Sequence, residues 1–223
     1  MANFRTPGPV CASRAPPFDS GTLVRWWSPS PGPMCLASSP APTPRQWHNY
    51  SRAGGFIAAT LTMSPEAVSL LKAIETLRLK PYDDQTGKEI SAWVEGATVG
   101  YGHLIGSSDW DTYKNGITES EADALFREDA TPYETTVGAA ITATVQQYEF
   151  DAMVILAFNI GRKGFRDSSV VKLVNDPKAK TSYPTLESAW KSWNKSQGKV
   201  NNGVVNRRAA EWRIYTTAVY AHW

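Results

Sequence analysis

Glu75-Thr-Leu-Arg-Leu-Lys-Pro-Tyr-Asp-Asp84, then Gly87, then Thr98-Val-Gly-Tyr-Gly-His103, is the stretch on which the reading of this chain turns. Just upstream, Ser64-Pro65-Glu66 is a helix start: a cap, a proline at the first helical position, and an acid in the first turn. Val68, Leu71, Ile74 and Glu75 follow at helical spacing, so the helix carries an apolar stripe. Pro81 predicts that the helix stops before it. From Tyr82 to Ile105, Gly87, Gly96, Gly100 and Gly102 punctuate β-favouring residues, among them Ile90, Trp93, Val94, Thr98, Val99 and Tyr101. That pattern predicts a small antiparallel sheet with one long hairpin.

Helices dominate after the sheet. Thr118-Glu-Ser-Glu121 is a capping box. It predicts a helix through Ala124, Leu125 and Phe126, with a second helical stretch after Pro132. Met153-Val-Ile-Leu-Ala-Phe158 is apolar nearly all round. It predicts a central buried helix within 145–160, capped at its C-terminus by Gly161. Further helices are expected over 167–175, 185–195 and 204–220. A small β lobe followed by a larger helical lobe is an α+β arrangement.

Composition divides the 223-residue chain near residue 63. Residues 1–62 hold 10 of the 15 prolines, both cysteines (Cys11 and Cys35), five arginines and Asp19, with neither Lys nor Glu. This Pro/Arg-rich extension cannot bury enough apolar surface to offset its ordering entropy and is expected to be disordered. It lacks the apolar core of a secretory signal, and Met63, standing at the head of a clean domain start, is an alternative start. Residues 63–223 are expected to form one folded domain. They need neither a disulfide nor a cysteine metal site, because they contain no cysteine. The overall charge of +2 gives no reason to expect a nucleic-acid partner, and no apolar run is long enough to cross a membrane. Residues 63–161 carry a net charge of −10 and residues 162–223 a net +8. The halves can attract each other, and the basic half can face an anionic polymer.

Two carboxylates in unlike settings are what glycoside hydrolysis requires, one protonated as general acid and the other ionised. Glu75 lies on a helix, and Asp84 follows nine residues later, beyond Pro81. By itself the pair is weak, since such spacing also occurs on any solvated helix face. The wider pattern is more specific. Glu75-x-x-Arg78-Leu79-x-x-Tyr82-x-Asp84-x-x-Gly87 with Thr98-Val-Gly-Tyr-Gly-His103 resembles the phage-type lysozymes, the glycoside hydrolases of T-even and lambdoid phages. Ile117-Thr-x-x-Glu121-Ala-x-x-Leu125-Phe126-x-x-Asp129 is similar to their next helix. Phe158-Asn159-x-Gly161 and Gly164-Phe165-x-x-Ser168 are similar to the loop on the far side of the cleft. Asn206-Arg207-Arg208-x-x-Glu211-Trp212 resembles the final-helix motif. The likeness covers nearly all of 63–223 and none of 1–62.

The resemblance implies a lysozyme-like α+β fold: a small N-terminal β-hairpin lobe, a larger helical lobe, and the cleft between them. It implies an endolysin muramidase that cuts the β-1,4 bond between N-acetylmuramic acid and N-acetylglucosamine. Glu75 would be the general acid, Asp84 would direct water or stabilise positive charge on the sugar, and Thr98 would position that water. Arg207 would orient Glu75, and His103 would pair with Asp129 to tie sheet to helix. Tyr101, Gly102, Leu104, Phe158 and Ser168 would line the sugar subsites, although for Phe158 a core position is as good a reading. No cofactor and no metal are implied. The partner would be peptidoglycan glycan strands, with no nucleic acid and no membrane insertion. A monomer made in the host cytoplasm would reach the wall after a pore former opens the membrane. A lytic transglycosylase, which typically needs only the Glu, and a catalytically silent wall-binding module are the alternatives. One departure stands out. Asp84 and Thr98 are fourteen residues apart, wider than the family's tight hairpin, so the segment around 88–95 is expected to lengthen the hairpin tip while its base keeps register.

Overall fold

The computed structural model describes residues 54–223. The expectation of disorder for residues 1–53 lies outside the described residues, as do Cys11, Cys35 and His48.

Helix α1 spans Pro65–Glu75, with Ser64 Oγ accepting the Ala67 N–H at 3.2 Å. Its stripe of Val68, Leu71 and Ile74 is buried. The helix stops six residues before Pro81, because Thr76 adopts φ 54° and turns the chain out. A strand begins almost at once. The strands β2 (Arg78–Asp83), β3 (Ala97–Gly100) and β4 (His103–Leu104) form one antiparallel sheet in the order β2-β3-β4. Pro81 is accommodated because the register of β2 against β3 is irregular between Arg78 and Tyr82. A small apolar cluster of Ala97, Val99, Ile105 and Leu125 lies under this sheet.

The short α2 (Trp110–Tyr113) leads to α3 (Glu119–Ala140). Thr118 and Glu121 form the expected capping box. The expected break at Pro132 does not occur, and α3 runs through it as one helix. Pro132 is exposed, so the carbonyl deprived of its N–H partner can turn to water. Helix α4 (Gln147–Ile160) is the buried centre, with Phe150 to Phe158 all enclosed and Gly161 capping its C-terminus. Around it lie α5 (Arg162–Asp167), α6 (Ser169–Asn175), α7 (Leu186–Lys191) and α8 (Asn202–Thr217). A two-stranded hairpin, β6 (Lys195–Ser196) with β7 (Lys199–Val200), occupies the end of the segment expected to be helical at 185–195 and its connection to α8.

The boundary at residue 63 needs correction. Residues 55–62 are part of the domain. Strand β1 (Phe56–Ile57) pairs antiparallel with β5 (Thr144–Val145), Phe56 opposite Val145. Ala58 is fully buried. Gly138 on α3 lets this strap lie close, since a Cβ there would come within 3.0 Å of Ala59 Cα. Gln147 Nε2 donates to the Thr62 carbonyl at 2.8 Å. The absence of charge and the prolines nearby hid a short packed strap within a stretch of disorder-like composition.

Beneath α1, Asp151 gathers the chain together. Its carboxylate accepts the Ser64 N–H at 3.0 Å, Ser64 Oγ at 2.6 Å, Gln147 Nε2 at 2.9 Å and the Tyr220 hydroxyl at 2.5 Å. A fully buried carboxylate is tolerated only with such satisfaction.

Candidate active site

Glu75 is the last residue of α1, half-buried, one position beyond the enclosed Ile74. The large helical core therefore fixes the backbone that carries it. Asp84 is exposed and sits just past β2. Its N–H donates to the Gly96 carbonyl at 3.1 Å, which closes the base of the hairpin. Tyr82 pairs with Thr98, and Asp83 with Ala97, so Asp84 is diagonal to Thr98 across the strands. The lengthened segment 85–95 grows from the tip and leaves that register intact.

Gly96 is required at this spot. Its φ is 89°, and a Cβ would fall 2.3 Å from Asp84 Oδ1. The carboxylate thus lies flat against the backbone of the opposite strand, and Gln85 Nε2 donates to it at 2.9 Å. Thr98 is nearly enclosed and gives its hydroxyl proton to the Gly96 carbonyl at 2.9 Å. With its proton committed, Thr98 Oγ1 offers lone pairs to an incoming donor.

The other expected residues fall into two groups. Leu104, paired with Thr98 across β3 and β4, leaves 46% of its surface exposed. Tyr101 is half-buried, with its ring edge-on to Phe126 and Lys72 Nζ 4.9 Å above it. That ammonium also pairs with Asp123 at 2.5 Å, which holds its pKa above the usual lysine value. Gly102, at φ 92°, is buried in the tight turn between β3 and β4. His103 Nδ1 lies 3.1 Å from Asp129 Oδ1, linking sheet to α3. Phe158, in contrast, packs against Tyr133 at 4.8 Å and Phe126 at 6.3 Å, and the core reading is the one its packing supports. Ser168 is buried, and its hydroxyl caps α6 by accepting the Val171 N–H at 3.2 Å.

Arg207 lies on α8 and is nearly enclosed. Its Nε donates to Glu211 Oε1 at 3.1 Å, one turn along α8. Arg208, completely buried, reaches the same oxygen at 3.0 Å and donates to Asn159 Oδ1 at 2.5 Å. Trp190 Nε1 donates to Glu211 Oε2 at 3.0 Å. Burial pulls the Arg208 pKa down to about 10, against the pull of Glu211, so the guanidinium stays charged at neutral pH. The cluster ties α8 and α7 to the end of α4, next to the loop at Gly161. The motif around Asn206 signalled these residues, but only the structure shows that Glu211 is the hub. Trp190 is a core aromatic, edge-on to Trp212 and tilted against Tyr215. Among the described residues no group of three or more His, Cys, Asp or Glu could hold a metal ion.

A small hairpin lobe bearing one carboxylate and a threonine, beside a helical lobe bearing the other carboxylate, defines an α+β protein of lysozyme-like fold. The phage lysozyme family matches residues 72–211, and the chain belongs to that family. It is 34% identical over 158 residues to an endolysin of Bacillus phage PZA, covering 70% of this chain and 56% of that protein. It is 28% identical over 157 residues to the endolysin of Salmonella phage P22, covering 70% of this chain and 98% of that one. The chain thus spans little more than half the length of the Bacillus phage relatives it matches. Among solved structures, the endolysin of Escherichia coli O157:H7 phage FAHEc1 is similar at TM-score 0.57 and 27% identity, covering 73% of this chain and 98% of that one. The muramidase domain of SpmX from Asticcacaulis excentricus is similar at TM-score 0.55 and 28% identity, covering 70% and 98%.

Proposed function

We propose that this chain is a muramidase-type glycoside hydrolase that degrades bacterial peptidoglycan. The bond cut would be the β-1,4 link from N-acetylmuramic acid to N-acetylglucosamine. The observation that carries this reading is the hairpin register that sets Asp84 diagonal to Thr98 despite the long segment between them. Family membership supports the same reading, as do the names of the similar proteins.

In this mechanism the Glu75 carboxyl gives its proton to the glycosidic oxygen as the C–O bond breaks. A water between the sugar and the hairpin gives one proton to Asp84 while its oxygen bonds to the anomeric carbon from the opposite face. The second hydrogen of that water rests on Thr98 Oγ1, whose own proton is held by Gly96. The configuration inverts, as expected when water separates two carboxylates. Arg207, held by Glu211 on α8, orients Glu75. Tyr101, Gly102 and Leu104 form the wall nearest Thr98. The basic residues of 162–223 draw the anionic wall polymer to the cleft. The chain acts as a monomer without a cofactor, reaching the wall from the host cytoplasm once a pore former has opened the membrane. Among the described residues no helix is long and apolar enough to cross it.

The test is clearing of purified peptidoglycan by the full chain against Glu75→Gln. The variant should melt at the wild-type temperature and lose activity by about a hundredfold or more. Equal clearing by both proteins would remove Glu75 from its role. Mass spectrometry of the products should find reducing ends, and anhydro ends would replace hydrolysis with transglycosylation.

A further inference from the structure

The segment 85–95 contains one large apolar residue whose position the catalytic reading does not use. Trp93 leaves 40% of its surface exposed although it is the bulkiest side chain of the hairpin lobe's tip. Its indole N–H is not left to water. Nε1 donates to the Ile105 carbonyl at 2.9 Å, at the end of β4. That bond pins the indole one residue from Leu104, which is 46% exposed and sits directly across from Thr98. Val94, 38% exposed, extends the apolar surface. An indole held by its N–H, with its ring open to solvent, is a prepared stacking surface: the polar atom is satisfied and the π face remains. The apolar cluster under the sheet, Ala97, Val99, Ile105 and Leu125, does not enclose it.

We infer that Trp93 and Leu104 form a sugar-stacking platform at the hairpin end of the cleft, an additional subsite for the glycan strand that runs across Asp84 and Thr98. The occupant is a pyranose, whose axial C–H face is apolar and fits an aromatic plane, while its hydroxyls stay in water. The argument for that occupant is continuity: the platform adjoins Thr98 through the Leu104 pairing, so a strand long enough to span the carboxylates extends onto it. The inference deepens the muramidase reading and rests on it. It gives the long segment between Asp84 and Thr98 a purpose, namely to carry an aromatic side chain back over β4.

The experiment measures steady-state hydrolysis of soluble glycan strands of increasing length by the full chain. Trp93→Ala should raise KM roughly five- to tenfold on long strands, with kcat within about twofold, as expected for losing one aromatic contact. The effect should shrink on the shortest strands, which do not reach the platform. Trp93→Phe keeps a ring and should recover most of the affinity. Unchanged KM in Trp93→Ala, or a Trp93→Phe as weak as Trp93→Ala, would overturn the inference. If Trp93→Ala melts early, Trp93→Leu, which keeps bulk without an aromatic face, carries the same length-dependent test. Failure here leaves the Glu75→Gln result standing, whereas activity in Glu75→Gln would overturn the muramidase reading itself, so the two failures are told apart.

Discussion

The two lobes are stabilised in different ways. The helical lobe wraps α4, and its enclosed residues include Phe150, Met153, Ile155, Leu156, Phe165 and Trp190. The hairpin lobe encloses only Ala97, Val99, Ile105 and Leu125 in its own cluster, and depends on strand pairing, turns and the His103–Asp129 link. Glu75 belongs to the first lobe, Asp84 and Thr98 to the second. In the proposed mechanism the proton donor is thus seated on the large core, and the residues that receive water are seated on a thin sheet whose geometry comes from the backbone. Packing damage in the helical lobe should therefore appear as lost stability, and damage in the hairpin as altered catalysis with smaller loss of stability.

The largest expected effect tests that contrast. Phe150→Ala should destabilise the protein by about 3–5 kcal/mol, and Val99→Ala by only about 1–3 kcal/mol. Thermal denaturation of both variants checks this, and equal losses would mean that the lobes share one core. A middle effect concerns the strap. Deleting residues 54–62 together with the residues before them removes buried Ala58, the β1–β5 pairing and the Thr62 bond, and should lower stability by roughly 2 kcal/mol. The Met63 nitrogen, 2.8 Å from Glu134 Oε1, can keep that contact as an ammonium, so the loss reports on the strap itself. A shortened chain that melts like the full one would place residues 55–62 outside the cooperative unit.

The smallest effect is a pH signature within the helical lobe. Burial, then the hydrogen bond to Asp151, holds the Tyr220 phenol well above its usual pKa. Since the folded value is the higher one, the stabilisation is complete below the unfolded pKa near 10 and is lost as the pH rises toward the folded value. Tyr220→Phe should cost about 1 kcal/mol at neutral pH. It should also flatten the fall in melting temperature above pH 10, which a pH series of unfolding scans measures. An unchanged alkaline slope would place the titration elsewhere.

Much of this architecture is local in origin and so could be read from local signals. Ser64-Pro65-Glu66 and the Thr118 capping box act within four residues, and both start helices where expected. The all-round apolar run of α4 could only be a buried helix. What escaped was decided at a distance or by exposure. Pro132 stays helical because it faces solvent. The strap at 55–62 folds only because Gly138 leaves room for it. Arg207 and Arg208 converge on Glu211 in a cluster that needs Trp190 and Asn159 from other helices. The candidate catalytic trio was visible because its motif is compact. Trp93 was not, because its importance depends on a bond to Ile105 that no spacing rule foretells.

The bond from the Asp84 N–H to the Gly96 carbonyl makes the segment between them a closed cassette. Its first half is laced back onto β2, the Asp83 N–H donating to the Lys88 carbonyl at 2.9 Å and the Ile90 N–H to the Pro81 carbonyl at 3.0 Å. The part an engineer seeking a new substrate range could exchange is therefore the outer stretch 91–95, while Gly96 in the clasp admits no side chain.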